Sequence, residues 1–398
     1  MESVMPELAR ELLLAETEPV AGSVVVPLMA ALGGVTAREI YAPRDNPPFD
    51  RSALDGFAFR SGETAAASEQ VPARFRLSGV IYAGDAGDTG PGPGEAVKIM
   101  TGAPIPPGAD CMIGKENARA EGGEVIITGP IAKHDNVIFR GEDIEKGALL
   151  FPAGTVLKSA HLGVLASMGF DKAEIRRPVS IGLFCTGDEI VPPGTPLPPG
   201  KIYNSNETLV AARLKELGFS AEVLPQMDDD AGKVAQLIEK RIADFDLLVT
   251  TGAVSVGDKD IFHEVFAKLG VRRIFSRLRT RPGQAVLCGK YQNKLLVCLS
   301  GNPFAAILAF ELLVRPVLAK MSGSGGIQYR KAILGTPFSK KAGIRRFVRA
   351  KLADGCVTLP GGNTSGRLFT FADCNCFVDI PSGTETLQPG DEVDILLC

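Results

Sequence analysis

Histidine is scarce in this chain of 398 residues, which contains only His134, His161 and His263. None of them adjoins a serine or cysteine that would serve as a nucleophile, so a hydrolytic triad is not expected. The sequence also lacks an export signal and any apolar run long enough to cross a bilayer. We therefore expect a cytoplasmic protein that does not enter a membrane.

An excess of charge of either sign is also missing, since 43 basic and 46 acidic side chains give a net charge of −3. Without a basic surplus, a nucleic acid is not an expected partner. The eight cysteines do not suggest a disulfide framework, because Cys185, Cys288 and Cys298 lie in apolar runs where a reduced cysteine acts as a small hydrophobic side chain. Cys374 and Cys376 form a CxC pair without a second pair at a zinc spacing. Reduced cysteines are typical of the cytoplasm.

The length and the changing sequence pattern predict several domains. Region 1–45 looks helical with mixed polarity, and the chain is expected to return to it at 141–177, where SAHLGVLASMG predicts a helix. These two segments would form one discontinuous N-terminal domain. Short β-like runs predict a small β domain at 46–140 and another, barrel-like, at 327–398.

Strand-like and helix-like segments alternate between residues 178 and 326. SIGLFCT, AEVLPQ, DLLVTTG and KLLVCL predict strands, with helices such as NETLVAARLKELG and KDIFHEVFAKLG between them. Such alternation predicts a mostly parallel sheet covered on both faces. The expected fold class is therefore multidomain α/β and β: a central three-layer α/β domain, two small β domains and the discontinuous helical or mixed N-terminal domain.

Three loops are expected to meet at the carboxyl ends of the parallel strands, where ligands bind in such sheets. They are TGDE (186–189), TTGAVSVGDKD (250–260) and SGNP (300–303). In the second loop, small residues, hydroxyls and helix-start amides suit an anion, although a plain strand–turn–helix link is an equal alternative. In the third, helix capping is the alternative, with Asn302 as N-cap and Pro303 at the first helical position. The candidate ligand-binding residues are Thr250, Gly252, Ser255, Gly257, Ser300, Asn302 and Pro303.

Acidic side chains concentrate in the same region of the predicted sheet: Asp188, Glu189, Asp229, Asp258 and Asp260. Carboxylates beside a bound phosphate repel it unless a divalent cation intervenes, and Mg²⁺ is usually held by one or two carboxylates plus ligand phosphates. A divalent-metal site is one interpretation. Turn formers and N-caps are the other, above all for Asp258.

Three arginines alternate in the segment RLRTRPGQA: Arg277, Arg279 and Arg281. Arginine binds oxyanions through bidentate hydrogen bonds. On one interpretation these guanidiniums share one strand face as an oxyanion site. A solvated run of charge is the alternative, and the segment taken alone favours it. If the chain is an enzyme, Arg281 is the first candidate for the oxyanion site and Arg277 the second.

These residues lie in nine ordered stretches that resemble the MoeA family of molybdopterin molybdenumtransferases, whose eukaryotic relatives include the E domain of gephyrin. The resemblance covers nearly the whole chain. The stretches are APRDNPPFDRSALDGFAFR, AGDAG, AVKIMTGAPIPPGAD, FRGEDIEKGALLFPAGTVL, LFCTGDEIV, IYNSNETLV, TTGAVSVGDKD, RPGQAV and SGNPFAAILAFELLVRPVL.

The resemblance implies insertion of molybdate into adenylylated molybdopterin with release of AMP, assisted by Mg²⁺ or another divalent cation. It implies a homodimer whose cleft lies between the α/β domain of one subunit and the small β domain of the other. Contact with the molybdopterin adenylyltransferase is left open. Residue by residue, it implies catalytic roles for Asp55, Thr101, Asp143, Glu189 and Asp260, metal binding by Glu189, Asp229 and Asp260, and functional positions at Pro303, Arg349 and Ser365.

Three residues depart from the family pattern around the expected cleft. Ala253 stands where the family usually has a glycine, Gln284 where it has a lysine, and Ser300 where it has a proline. A non-catalytic carrier of molybdopterin or its cofactor is therefore an alternative function, although the number of acidic residues favours an enzyme. A molybdopterin adenylyltransferase is a third interpretation, disfavoured by the ALDG and MTGAP segments and the additional β domains.

Overall fold

The computed structural model describes residues 3–254, 260–341, 343–361 and 368–398. The chain forms two compact units. The larger unit comprises Met1–Val26, Gly33–Ala37 and Glu174–Cys398, and the smaller unit comprises Pro27–Leu32 and Arg38–Ala173. In the described ranges, we find no helix with the length and apolar character needed to cross a bilayer.

The first 176 residues are mostly β structure. Their helices are α1 (Pro6–Ala15) and α2 (Ser159–Ser167). Their strands are β1 (Ser23–Pro27), β2 (Ile40–Tyr41), β3 (Arg51–Ser52), β4 (Gly56–Phe59), β5 (Ala73–Ile81), β6 (Glu95–Ile99), β7 (Cys111–Gly114), β8 (Arg119–Glu121), β9 (Glu124–Ile127), β10 (Val137–Ile138), β11 (Leu149–Phe151) and β12 (Lys172–Arg176). The prediction that region 1–45 is helical is wrong beyond α1 and a short 3-10 helix at Leu28–Ala31, because the β-branched run SVVVP forms β1 instead.

The smaller unit is built on a six-stranded sheet of order β7-β4-β6-β5-β9-β8. Both faces of β4 are buried: Phe57 and Phe59 pack in one apolar cluster with Phe75, and Ala58 packs in another with Val97. The β-like runs predicted at 46–140 are strands of this sheet. The boundaries proposed for the four domains remain predictions.

The larger unit contains a second six-stranded sheet, of order β16-β13-β17-β21-β20-β18. The first four strands are parallel and the last two run antiparallel to their neighbours. The strands of this sheet are β13 (Ile181–Cys185), β16 (Ala221–Val223), β17 (Leu247–Thr251), β18 (Arg272–Arg277), β20 (Ala285–Tyr291) and β21 (Lys294–Leu299). Outside it, β14 (Ile190–Val191) and β15 (Ile202–Tyr203) pair with each other, and β19 (Thr280–Arg281) belongs to a third sheet. The helices are α3 (Ser205–Glu216), α4 (Ala231–Arg241), α5 (Ile261–Leu269), α6 (Pro303–Ala309) and α7 (Arg315–Ser322), with a π-helical turn at Phe310–Val314.

Helices cover both faces of this sheet. On one face α4 and α5 pack through residues such as Val234 and Phe262. On the other, α3 and the helices after β21 share a cluster with Ala9 and Leu13 of α1. The first helix therefore packs against the α/β core within the larger unit, with Glu11 exposed and Glu7 half-buried against Arg345.

The C-terminal strands form a small closed barrel. The barrel strands are β22 (Tyr329–Leu334), β24 (Arg345–Ala353), β25 (Cys356–Thr358), β26 (Cys376–Ile380) and β28 (Glu392–Leu397). Two further strands, β23 (Phe338–Ser339) and β27 (Thr386–Leu387), pair with each other in a two-stranded sheet. Strand order is β19-β24-β25-β22-β28-β26, and the additional pairing of β24 with β26 closes the barrel. Because β19 precedes the barrel in the chain and pairs with β24, it joins the barrel to the α/β segment.

A buried ion-pair network strengthens this connection. Glu311, in the π-helical turn, has a fully buried side chain whose carboxylate lies 2.6 Å from Arg213 Nε and 2.9 Å from Arg315 Nη1. Arg315 Nη1 also donates to the carbonyl of Leu397 in β28, at 2.9 Å. Removing one member of such a network leaves an uncompensated buried charge, so the network depends on all three side chains.

Candidate functional site

The ends of three parallel strands meet at one edge of the α/β sheet. The backbone N–H of Thr186, after β13, donates to the carbonyl of Thr251 at 2.9 Å, and that of Gly252, after β17, donates to Leu299 at 3.1 Å. Gly252 has φ +99°, and a Cβ there would lie 2.1 Å from the carbonyl oxygen of Thr186. Only glycine permits this approach. The predicted convergence of the three loops is confirmed.

The SGNP loop is held as its sequence predicts. The Asn302 side chain accepts a hydrogen bond from the backbone N–H of Ala305 at 3.2 Å, and Pro303 begins α6. Ser300 Oγ accepts from the backbone N–H of Asn302 at 3.2 Å. The capping interpretation of Asn302 and Pro303 is therefore confirmed, and the Ser300 hydroxyl contributes to the same turn.

Asn206, near the start of α3, fixes this loop from outside. Its Nδ2 donates to the carbonyl of Gly301 at 2.9 Å, across 95 positions of sequence. A Cβ on Gly301 would in turn lie 3.5 Å from Gly252 Cα, so the two glycine loops are in van der Waals contact. The edge is thus a narrow, backbone-lined surface supported by one buried amide side chain.

Both threonine side chains of the TTGA segment are buried. Thr250 is fully buried within β17, between Phe184 and Cys298 on the neighbouring strands. Thr251 Oγ1 donates to Cys185 Sγ at 3.1 Å, also in the interior. Burial leaves Thr250 no exposed surface for a ligand, which argues against its predicted binding role. Ser255, Gly257, Asp258 and Ser365 lie outside the described residues, so their predicted roles stay predictions.

Two of the predicted acidic positions are adjacent in space. The Asp188 carboxylate accepts a hydrogen bond from the backbone N–H of Asp229 at 3.0 Å, which joins the turn after β13 to the turn before α4. Glu189 is exposed in the same turn, and its carboxylate lies over Gly187, where a Cβ would be 2.8 Å from Glu189 Oε2. Lys201 donates to the carbonyl of Asp188.

Asp260 occupies a small cavity at the same edge of the sheet. It is the N-cap residue of α5, and its Oδ2 lies 3.6 Å from Nε2 of His263. The cavity has a volume of about 270 Å³, and its walls include Arg277 and Gln284. Register explains this grouping: Arg277 of β18 pairs with Ala285 of β20, and the next residue of β20 pairs with Leu299 at the end of β21. The cavity therefore brings together two predicted site residues, Asp260 and Arg277, and Gln284, which stands where the resembled family usually has a lysine.

The three predicted metal ligands do not by themselves complete a metal site. In the part of the chain that the structure describes, no group of three His, Cys, Asp or Glu side chains is arranged to hold a metal ion. Mg²⁺ is commonly held by one or two carboxylates together with water and substrate phosphates. A cation at Glu189, Asp229 or Asp260 would therefore need further ligands from water or from a bound phosphate.

Arg281 lies in a different and larger cavity, between the α/β segment and the barrel. The cavity has a volume of about 630 Å³ and contains the cationic side chains of Arg281, Lys340 and Arg346. No carboxylate is among its described lining residues, whose apolar walls include Phe304 and Phe347. Three positive charges without a neighbouring carboxylate favour an oxyanion.

The prediction that Arg277, Arg279 and Arg281 share one strand face is wrong for the outer pair. Arg277 ends β18 and lines the smaller cavity, whereas Arg281 lies in β19 and pairs with Arg346 of the barrel. The prediction assumed that the three alternating arginines lie on one continuous strand. The chain instead leaves one sheet and joins another between these residues.

Arg349 supports the wall of the larger cavity. Its side chain is fully buried, and its guanidinium carbon lies 4.5 Å from the ring centroid of Phe304. Burial lowers the pKa of this guanidinium below its ordinary value. The stacking fixes Phe304, at the start of α6, against β24 of the barrel.

In the smaller unit, Asp55 forms a compact polar cluster with two other residues. Its Oδ1 accepts hydrogen bonds from the backbone N–H and Oγ1 of Thr101, at 2.9 and 2.7 Å, and its Oδ2 lies 3.3 Å from Lys115 Nζ. The Thr101 backbone and hydroxyl donors, followed by Lys115, lower the pKa of Asp55 to about 2. Asp55 is therefore anionic throughout the ordinary pH range. Asp143, also in this unit, accepts from Asn46 Nδ2 at 2.8 Å.

Four residues at these positions were missed by the sequence reasoning: Asn206, Lys115, Lys340 and Arg346. For Lys115 a signal existed, because it directly follows the strand CMIG as the other candidates follow theirs. Lys340 and Arg346 are unremarkable charged residues in sequence. Arg346 gains its place through the pairing of β19 with β24, and Lys340 gains its place because it directly follows β23.

Three family models match the chain. They are the MoeA N-terminal region (domains I and II) at residues 4–169, a probable molybdopterin binding domain at residues 182–320, and the MoeA C-terminal region (domain IV) at residues 331–398. Together they span both described units.

Individual relatives match over nearly the whole length. A molybdopterin molybdenumtransferase of Staphylococcus aureus (strain COL) is 34% identical over 381 residues, covering 94% of this chain and 91% of that protein. One from Staphylococcus epidermidis (strain ATCC 12228) is 32% identical over 378 residues, covering 94% and 90%. A solved structure of the molybdopterin biosynthesis MoeA protein from Pyrococcus horikoshii OT3 has a TM-score of 0.84 and 27% identity, covering 100% of both chains. A second structure, described with the same protein name and species, also has a TM-score of 0.84, with 32% identity and coverage of 100% and 99%.

Proposed function

The chain belongs to the molybdopterin molybdenumtransferase family, and on that premise we propose that it inserts molybdate into adenylylated molybdopterin and releases AMP. It is an enzyme of molybdenum cofactor biosynthesis. The observation that carries the detailed reaction is the meeting of three strand-end loops around Gly252, with the cavity of Asp260 and Arg277 at the same edge. Backbone N–H groups and a guanidinium there would bind the substrate phosphates.

The larger cavity is the proposed binding place of the molybdate oxyanion. Arg281, Lys340 and Arg346 would stabilise its negative charge through charged hydrogen bonds, which are stronger than neutral ones. The smaller cavity is less suited to a free oxyanion, because the Asp260 carboxylate would repel it. This assignment retains Arg281 as the first candidate and adds two partners that the sequence did not indicate.

A divalent cation is part of the proposal as a ligand shared with the substrate. Glu189 and Asp260 would hold it together with the phosphates, and it would neutralise charge on the phosphoanhydride. The protein groups around it act by binding and orientation: Arg277 on the phosphates, and the bare backbone at Gly252 by allowing close approach.

We also propose a homodimer that brings Asp55, Thr101 and Asp143 of one subunit to the α/β edge of the other. The smaller unit exposes apolar side chains that support an interface: Met29 is 77% exposed, Leu32 55%, Tyr41 50% and Leu149 48%. Tyr41 and Leu149 are paired neighbours on β2 and β11. Exposed apolar patches of this kind mark protein interfaces.

The dimer is tested by light scattering at micromolar concentration, with Leu149→Glu as the perturbing variant. We expect a dimeric wild type, a Leu149→Glu variant shifted toward monomer, and a parallel loss of activity. A strictly monomeric wild type with full activity contradicts the shared site.

The reaction is tested by incubating the protein with adenylylated molybdopterin, Mg²⁺ and molybdate, and measuring AMP. We expect molybdate-stimulated AMP release that EDTA abolishes. A protein that binds molybdopterin tightly but releases no AMP would instead be a carrier. The observation that favours testing for a non-catalytic carrier is Gln284, which replaces the usual lysine beside Asp260 and Arg277.

A further inference from the structure

Lys115 stands at a fixed position beside Asp55. It directly follows Gly114 of β7, which pairs with Gly56 of β4, and its backbone N–H donates to the carbonyl of Asp55 at 2.9 Å. The strands approach closely here, since a Cβ on Gly56 would lie 1.9 Å from the carbonyl oxygen of Ile113. The glycine of the ALDG segment thus permits the contact that aligns Asp55 with Lys115.

The Asp55 carboxylate is occupied on both oxygens. Two donors of Thr101 hold Oδ1, and the Lys115 ammonium holds Oδ2 at 3.3 Å. Its orientation is therefore fixed by three contacts from two other segments of the unit. Such a carboxylate is poorly placed to accept a proton from a substrate, because these contacts engage three of its roughly four lone-pair sites.

The Lys115 ammonium, unlike the Asp55 carboxylate, keeps most of its hydrogen-bonding capacity for a ligand. It carries three N–H donors, and one of them is directed to Asp55. The Lys115 side chain is 57% exposed, compared with 39% for Asp55, so it presents the more accessible charge of the pair. A flexible side chain held at its end by a fixed carboxylate has lost part of its conformational freedom before a ligand arrives, which lowers the cost of binding.

We propose that Lys115 is the residue of the smaller unit that contacts the substrate, binding one of its phosphate oxygens, and that Asp55 and Thr101 are positioning residues for its ammonium. The inference rests on the proposed function, since the anion is the phosphate of the pterin substrate. It assigns Asp55 a different role from the catalytic one predicted from the sequence. The low pKa of Asp55, about 2, agrees with a permanently charged positioning group.

A plain counter-ion is the competing explanation for Lys115. An exposed ion pair contributes only about 0–1 kcal/mol to stability. If the lysine served only to neutralise Asp55, its removal would change substrate binding little. The two explanations therefore differ in the Michaelis constant for the pterin substrate.

The test compares Lys115→Ala, Lys115→Arg and Lys133→Ala, the last removing an exposed lysine elsewhere in the same unit. Initial rates of AMP release are measured against the concentration of adenylylated molybdopterin. Loss of a charged hydrogen bond should raise KM for Lys115→Ala about 10-fold or more, with kcat much less affected. Lys115→Arg should recover most of the affinity, and Lys133→Ala should match the wild type.

A KM within about twofold of the wild type for Lys115→Ala would overturn the inference, as would a loss confined to kcat. Rescue by Lys115→Arg separates lost charge from misfolding. If the wild type releases no AMP, the proposed function fails, and the inference is decided by equilibrium titration with molybdopterin itself. In that titration, weaker binding by Lys115→Ala but not by Lys133→Ala supports it, and equal affinities refute it.

Discussion

Replacement of Arg281 tests where the oxyanion binds. Arg281→Ala removes one of the three cationic side chains of the larger cavity and leaves Lys340 and Arg346 in place. One charged hydrogen bond contributes roughly 1.5–3 kcal/mol, which corresponds to about 10- to 100-fold in affinity. We therefore expect the molybdate concentration for half-maximal rate to rise by about that factor.

The assay is AMP release as a function of molybdate at saturating pterin substrate, repeated as a function of pterin substrate at saturating molybdate. Arg281→Ala should shift the first curve and leave the second nearly unchanged. Arg279→Ala is the matched control, because Arg279 is an exposed arginine in the same segment and is absent from the described linings of both cavities. A shift in the pterin curve alone would mean that Arg281 binds a phosphate, and the oxyanion would then have to be placed elsewhere.

Gln284→Lys provides a second arm of this experiment. From sequence alone, the lysine is expected to lower the molybdate requirement by restoring a cation at the same turn. The structure changes that expectation, because Gln284 lies in the cavity with Asp260 rather than with Arg281. The new ammonium would pair with Asp260, so we expect a higher requirement for Mg²⁺ and little change for molybdate. A lower molybdate requirement would place the oxyanion in the smaller cavity.

Three further predictions concern other parts of the chain. Glu311→Ala should lower the free energy of unfolding of the larger unit by about 3–5 kcal/mol in urea, because it leaves Arg213 and Arg315 without their buried partner. The control is Glu216→Ala, which removes an exposed partner of Arg213 and should lower that free energy by less than about 1 kcal/mol. Thr101→Val should raise the pKa of Asp55 from about 2 toward 3.8, which an NMR titration would measure. Because the pKa of Asp55 is depressed in the folded state, the stability that this carboxylate contributes is present above pH 3.8 and is lost as the pH falls toward 2. The variant should narrow the pH range over which this stability is lost. Glu189→Gln should retain the fold by circular dichroism but lose most Mg²⁺-dependent AMP release; unchanged turnover at saturating substrate would remove Glu189 from the site.

Much of the α/β segment was predictable because its signals are local. The alternation of apolar strands and amphipathic helices set the element order, Gly270 ends α5 in the left-handed conformation, and Asn302 caps α6 through its own side chain. Convergence of the three loops also followed, since the carboxyl ends of parallel neighbours lie at one edge whatever the strand order.

The arrangement of cations and carboxylates was decided by tertiary structure. Asp55 and Lys115 are 60 positions apart, and their contact depends on the pairing of β4 with β7. Arg277 and Arg281 are four positions apart, yet β19 leaves the α/β sheet for the barrel and separates them into two cavities. Local propensity and periodicity determine which segments form strands and helices. Strand order and register determine which side chains meet, and these are settled only when the whole core packs.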